Sequence, residues 1–260
     1  YDMLRPYPSI LFGIETALLD LERGGNGNLF DTPFTRGEEG ICINGLVWMG
    51  NFDEMLARLE EKMKAGFHCV KLKIGAIDFN RELELVRHIR NTFSKDQIEL
   101  RVDANGGFSF EDAPKRLEQL AKYDIHSIEQ PIRQHQWARM AELCASSPIP
   151  IALDEELIGV NMTQMKQDLL DRIRPQYIIL KPSLHGGMHG TREWIDLANA
   201  RGIGSWITSA LESNVGLNAV AQLAADIYGP DIRMPQGLGT GQLFTDNIPM
   251  NLEIKGDKIW

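Results

Sequence analysis

Val70-Lys-Leu-Lys73, Leu100-Arg-Val-Asp103, Ile125-His-Ser-Ile-Glu129, Ile151-Ala-Leu-Asp154 and Tyr177-Ile-Ile-Leu-Lys181 are five short apolar runs, each ending on a charged residue. The closing charges fall at positions 73, 103, 129, 154 and 181, at intervals of 30, 26, 25 and 27 residues. That is about the length of one strand followed by one helix, and its regular return predicts a parallel sheet. Parallel strands all point the same way, so the charges Lys, Asp, Glu, Asp, Lys gather at one edge of that sheet.

Outward from these runs, apolar periodicity predicts helices at 53–65, 78–93, 110–123, 135–146, 161–172, 189–201 and 213–228. They alternate with strands at 41–47, 68–74, 98–104, 126–130, 151–155, 177–181 and 204–209, and with a weak eighth strand at 232–236. The strands are continuous apolar runs, as in a sheet covered on both faces. The fold class is therefore α/β, and seven helices with eight strands point to a TIM-like (β/α)7β barrel rather than a doubly wound sheet. A further helix is expected from Ser9 to Arg23, with Ser9 as N-cap and Ile10, Ile14, Ala17, Leu18 and Leu21 on its apolar face. The chain divides into a helix and linker at 1–40, the barrel at 41–243 and a carboxyl-terminal segment at 244–260.

A formal charge of −9 and a pI near 5.2 work against nucleic acid or an anionic membrane as partner, because both attract basic surfaces. No apolar run approaches 18 residues and the amino end shows no basic leader, so we expect no membrane span. Cys42, Cys69 and Cys144 lack the paired spacing of zinc or redox sites. They read as reduced core residues of a cytoplasmic protein acting on a small molecule, with a homo-oligomer left open.

Asp103, Glu129 and Asp154 at the ends of successive strands would repel one another and raise their own pKa values unless a cation joins them. A donor set of hard oxygens without His or Cys suits Mg²⁺, with Mn²⁺ as the alternative, and leaves coordination positions open to a substrate. Lys73 and Lys181 lie on strands two and six of eight, half a turn apart, as two-sided chemistry requires. Lys71 shares its strand face with Lys73, and like-charge repulsion is expected to favour a neutral amine there. Ser209 and Glu212, at the end of strand seven, are expected to line the pocket, with capping of the next helix as the other reading of Glu212. Gly239, within Gly237-Leu-Gly-Thr-Gly241, reads as part of a tight turn against the substrate rather than a phosphate cradle. His185 and His189 have i,i+4 spacing without a glutamate to complete a zinc motif, so both are expected in solvent. Trp48 and Trp206 are placed near the mouth, Trp137 and Trp194 in helix packing.

Taken together, Lys71-Leu-Lys73, Asp103-Ala-Asn105, Glu129-Gln-Pro131, Asp154-Glu155 and Lys181-Pro182 resemble the lysine-base branch of the enolase superfamily, its muconate-lactonizing-enzyme-like subgroup, over residues 8 to 245. A lysine or histidine base working with Mg²⁺ on an ene-diolate is the general pattern of that superfamily. The resemblance implies Asp103, Glu129 and Asp154 as metal ligands, Asn105 and Glu155 as groups that orient them, and Lys73 and Lys181 as the catalytic lysines. Lys181-Pro-Ser-Leu-His-Gly-Gly187, Ser209-Ala-Leu-Glu-Ser-Asn214 and Gly237-Leu-Gly-Thr-Gly241 are most similar to the branch that dehydrates a succinyl-bearing cyclohexadiene carboxylate to an aromatic product in menaquinone biosynthesis. Racemization or epimerization of N-acylated amino acids or dipeptides uses the same lysines and ligands. A Schiff-base aldolase using Lys181 and a non-catalytic binding barrel are the readings from other classes. The family also carries an amino-terminal α+β capping domain; on this reading it is missing from the sequence, which begins at Tyr1, and 244–260 returns towards it.

Overall fold

The structure is a computed structural model that describes every residue except Asp231, and of Gln242 the backbone alone. Apolar runs buried on both faces form the parallel strands β2 (Gly45–Val47), β3 (Cys69–Lys73), β4 (Glu99–Asp103), β5 (Ile125–Glu129), β6 (Ile151–Leu153), β7 (Tyr177–Leu180) and β8 (Gly204–Ile207), hydrogen-bonded in sequence order. A two-residue strand, β1 (Ile41–Cys42), precedes them.

Helix α1 (Pro8–Glu22) comes before the sheet, and α2 (Phe52–Lys64), α3 (Phe79–Thr92), α4 (Ala113–Leu120), α5 (Trp137–Ser146), α6 (Thr163–Ile173), α7 (Gly187–Asn199) and α8 (Asn214–Tyr228) alternate with its strands. Local chemistry sets several of the starts. Asn51 and Glu54 form a reciprocal capping box on α2, and Asp78 accepts from Asn80 and Arg81 at the start of α3.

The expected strand at 232–236 is reduced to single bridges, Ile43 with Gln236 and Thr208 with Gly237. Pro235 has no N–H to give a ladder. The Gln236 side chain substitutes by accepting from Ile207 N–H at 2.7 Å and donating to Met234 C=O at 2.7 Å. Residues 236–237 thus join the two ends of the seven-stranded sheet into a ring. Gly237 packs so closely on Thr208 that a Cβ there would overlap the threonine side chain.

Strand alternation sorts the side chains into two layers. Outward residues such as Leu72, Val102, Ile128, Leu153, Ile178 and Ile207 join the helices in one large core. Inward residues Ala152, Ile179 and Trp206 form a smaller cluster within the ring. Trp206 is therefore interior packing, covered by the Arg101 guanidinium 4.4 Å above its ring, and not a mouth residue. Trp194 is fully buried between helices, as expected.

Helix α1 differs from expectation. Tyr7 stands at its N-cap with Pro8 in the first turn, while Ser9 Oγ donates to Ser183 C=O. Leu11 and Phe12 are buried, whereas Ile10, Ile14, Leu18 and Leu21 are exposed. The polar contacts decide the face: Glu15 accepts from Met188 and His189 N–H, capping α7 from outside because Gly186 offers no capping side chain. Among residues 244–260, β9 (Ile254–Lys255) and β10 (Lys258–Ile259) form a hairpin, and β10 pairs antiparallel with β1. That places the end of the chain beside the amino end of the barrel strands.

Candidate active site

Register places Lys73 opposite Asp103 and Asp103 opposite Glu129 on adjacent strands, so these three side chains sit in one row on the inner face. Asp154 follows β6 and Lys181 follows β7. The structure thus brings the five charged strand ends into one mouth. Lys71 Nζ donates to Glu129 Oε2 at 2.9 Å and lies 3.3 Å from Asp103 Oδ2. Lys73 Nζ donates to Asp103 Oδ2 at 2.5 Å and to Asn105 Oδ1 at 2.8 Å. Lys181 Nζ pairs with Asp154 Oδ2. Asp103 and Asp154 are fully buried and Glu129 is 3% exposed.

Burial and the neighbouring Glu129 raise the Asp103 pKa above its ordinary value, against the pull of Lys71 and Lys73. Burial draws Lys71 down, but Glu129 and Asp103 outweigh it and hold the ammonium above the usual lysine value. The neutral Lys71 amine expected from repulsion by Lys73 is therefore corrected: contact with two carboxylates decides, and sequence spacing did not reveal that contact. Lys181 is raised too, burial being outweighed by Asp154 and Glu129.

Asn105 N–H donates to Asp103 Oδ1 at 3.0 Å, and Asn105 Nδ2 donates to Glu155 Oε1 at 2.8 Å. One asparagine thereby links Lys73, Asp103 and Glu155. It does so from a left-handed backbone at φ 43°, and Gln130 has φ 39°. Both conformations are costly for a residue with a side chain and are held by their surroundings.

Gln130 was not singled out from the sequence, although it follows Glu129 directly. Fully buried, it donates to Ile132 C=O and Glu156, and its Oε1 accepts from Asp154 and Glu156 N–H. It fixes the turn that carries Asp154. Glu212 stands behind the pocket, where it accepts from Ser183 Oγ at 2.5 Å, Ser209 Oγ at 2.6 Å and Ala210 N–H at 2.8 Å, tying two loops together. His189 is exposed as expected, but His185 is fully buried. The i,i+4 spacing misled, because residue 185 lies in the loop before α7.

Glu82 was also missed. Its Oε1 accepts from Gly75, Ala76 and Ile77 N–H at 2.7, 3.1 and 3.3 Å, pinning the loop after Lys73. Burial raises Glu82 above the ordinary value of 4.5, against those three donors and Arg116. A carboxyl raised in the folded state stabilises the fold in its protonated form; that contribution is complete below 4.5 and fades as pH rises through the higher folded value. Glu82→Gln keeps the acceptor and does not ionise. Urea denaturation should therefore show a flatter pH dependence of stability in Glu82→Gln than in the parent from pH 4.5 upwards. Parallel curves would reject this role for Glu82.

A cavity of about 250 Å³ opens above the charged row. Lys71, Lys73, Glu129 and Lys181 form one side, and Asn44, Trp48, Thr208, Ser209, Leu211, Gly239 and Thr240 line the rest. Lys73 Nζ lies 5.6 Å from the Trp48 ring centroid. Burial pushes the thiols of Cys42 and Cys144 up to about 11 and about 12, so neither is a thiolate nucleophile near neutral pH.

Among the described residues no three His, Cys, Asp or Glu side chains are already gathered as a ligand cluster. Ammonium groups occupy the carboxylates instead. The donor set nevertheless fits a hard divalent cation: three buried carboxylates meet positive charge, and Asp154 Oδ1 is buried without a hydrogen-bond partner among the described residues.

Residues 54–246 match the model of the enolase C-terminal domain-like family. Over 250 residues the chain is 58% identical to the o-succinylbenzoate synthase of Desulfotalea psychrophila, covering 96% of this chain and 67% of that protein. The crystal structure of MenC from the same organism superposes with a TM-score of 0.89 at 56% identity, covering 97% of this chain and 69% of that one. An L-amino acid-D/L-Glu epimerase of Francisella philomiragia is 31% identical, covering 78% of this chain and 56% of that protein. The chain thus spans about two thirds of the first relative and just over half of the second. Its curled parallel sheet, its matched domain and these relatives place it plainly: the chain belongs to the enolase superfamily, in the muconate-lactonizing-enzyme-like subgroup.

Proposed function

We propose that this chain is the barrel of an o-succinylbenzoate synthase. As a carbon–oxygen lyase it would dehydrate 2-succinyl-6-hydroxy-2,4-cyclohexadiene-1-carboxylate to o-succinylbenzoate in menaquinone biosynthesis. The observation that carries this reading is the row of Lys73, Asp103 and Glu129 in register, with the Lys181–Asp154 pair on the far side of the same ring. The 58% identical synthase directs the choice of substrate. A cytoplasmic location and the division of the chain into 1–40, 41–243 and 244–260 belong to the same proposal.

Asp103, Glu129 and Asp154 would hold Mg²⁺, or Mn²⁺, oriented by Asn105 and Glu155. The bound cation supplies Lewis-acid stabilisation of charge on the substrate carboxylate. Lys73, released from its ion pair with Asp103, accepts the proton α to that carboxylate. In a syn elimination the hydroxyl leaves from the same face, so the new Lys73 ammonium can return the proton and water departs. Lys181 remains a cation, positioned by Asp154 to face the ring and stabilise its developing charge. Ser209, Gly239 and Trp48 shape the cavity around the substrate and help exclude water.

Two lysines half a turn apart also suit proton exchange on both faces, so racemization or epimerization is the second reading. NMR in D₂O with Mg²⁺ separates the two, using the cyclohexadiene substrate and an N-succinylamino acid on the full polypeptide. Rapid aromatisation of the first, with slow α-exchange of the second, is expected. Fast exchange and racemization of the second would transfer the assignment to the epimerase class. Silence with both would leave a binding barrel.

A further inference from the structure

We propose that His185 is a positioning residue for Lys181, acting through the main chain. The inference rests on the catalytic place given to Lys181 above. Strand β7 ends at Leu180, and the neighbouring β6 has turned away at Asp154. His185 Nδ1 accepts from Lys181 N–H at 2.9 Å. Lys181 C=O accepts from Leu184 N–H at 2.8 Å and from His185 N–H at 2.9 Å. Both main-chain polar groups of Lys181 are thus tied to the same short loop, and the ring of His185 completes the tie.

The loop around this ring is tightly built. Gly187 N–H donates to Pro182 C=O at 2.8 Å, and Gly186 and Gly187 take φ 100° and 70°. A Cβ at Gly190 would lie 2.8 Å from His185 C=O, so α7 closes directly on the loop. Behind it, the fully buried Lys166 donates to Gly190 C=O at 3.1 Å and to Glu193 at 2.6 Å. His185 is itself fully buried, and among the described residues its Nε2 has no hydrogen-bond partner. A neutral ring accepting at Nδ1 carries its proton on Nε2, which sets the tautomer. Without an acceptor here, the part-buried Lys181 N–H would lose its partner and the stem of Lys181 would lose its anchor.

A displacement of about 1 Å at a reacting group costs roughly 100-fold in rate, which sets the scale of the expected effect. His185→Leu and His185→Gln should lower kcat for aromatisation by about that factor with KM changed less than about threefold, the Gln oxygen lying at the Nε2 end of the side chain. His185→Asn places an oxygen where Nδ1 was and should restore kcat to within a few-fold of the parent. Long-range ¹⁵N correlation spectra of the parent should show Nδ1 unprotonated and Nε2 protonated. This measurement needs no turnover, so it tests the tie of His185 to the Lys181 main chain separately from the proposed function, and a parent inactive on the cyclohexadiene with the expected tautomer would overturn that function and not the tie. The opposite tautomer, an undiminished kcat in His185→Leu, or a His185→Asn as slow as His185→Leu would each overturn the proposal.

Discussion

Lys73→Ala is expected to slow loss of the α-proton by roughly 10²- to 10⁴-fold, the usual contribution of a positioned general base, while leaving Mg²⁺ binding intact or tighter. The ammonium it removes lies 2.5 Å from Asp103 Oδ2 and competes with any other cation for that oxygen. Asp103 keeps Asn105 N–H on its other oxygen and Lys71 at 3.3 Å, so the carboxylate remains anchored. Asn105 loses a donor but retains Glu155. Isothermal titration with Mg²⁺ and α-proton exchange in D₂O measure the two effects on one preparation. A rate within tenfold of the parent would remove Lys73 as base, and a large loss of metal affinity would show that it organises the ligands instead.

The strand ends were legible because inward side chains recur every two residues and one strand-helix unit recurs every 25 to 30. Lys73, Asp103 and Glu129 are therefore neighbours in space as well as in pattern. Features set by non-local partners did not show. The sequence of helix α1 points to its most apolar stripe as the buried face, yet Glu15 is drawn inward by the open N-terminus of α7, 173 residues away. The spacing of Lys71 points to Lys73 as the neighbour that sets its charge, whereas Glu129, 58 residues on, and Asp103 hold it as an ammonium. His185 carried a helical spacing into a glycine-bounded loop. The eighth strand was faint because Pro235 and the Gln236 side chain replace the ladder that a strand would supply. In each case the pattern reported the chain's own direction and period, and the missing information was the partner that a particular side chain meets in the folded protein.

Asp154→Asn is expected to weaken Mg²⁺ binding by more than the roughly 10- to 100-fold that loss of an outer partner costs. The substitution removes a charge without changing shape. Asp154 is fully buried, with Oδ2 paired to Lys181 and Oδ1 without a hydrogen-bond partner among the described residues. Gln130 holds its main chain through Asp154 N–H at 3.2 Å, a bond the variant keeps. The loss should therefore fall on metal and on Lys181 rather than on the fold of the turn. Lys181 is held above its ordinary value by Asp154 and, less strongly, by Glu129. With Asp154 neutral, burial acts on Lys181 against Glu129 alone, and its cationic form is less favoured. Turnover should therefore remain below the parent even when Mg²⁺ is raised to saturation, whereas a pure affinity defect would recover fully. Isothermal titration gives the first result, and initial rates at graded Mg²⁺ give the second. Unchanged affinity would strike Asp154 from the ligand set, and full recovery at high Mg²⁺ would confine its role to the metal and free Lys181 from dependence on it.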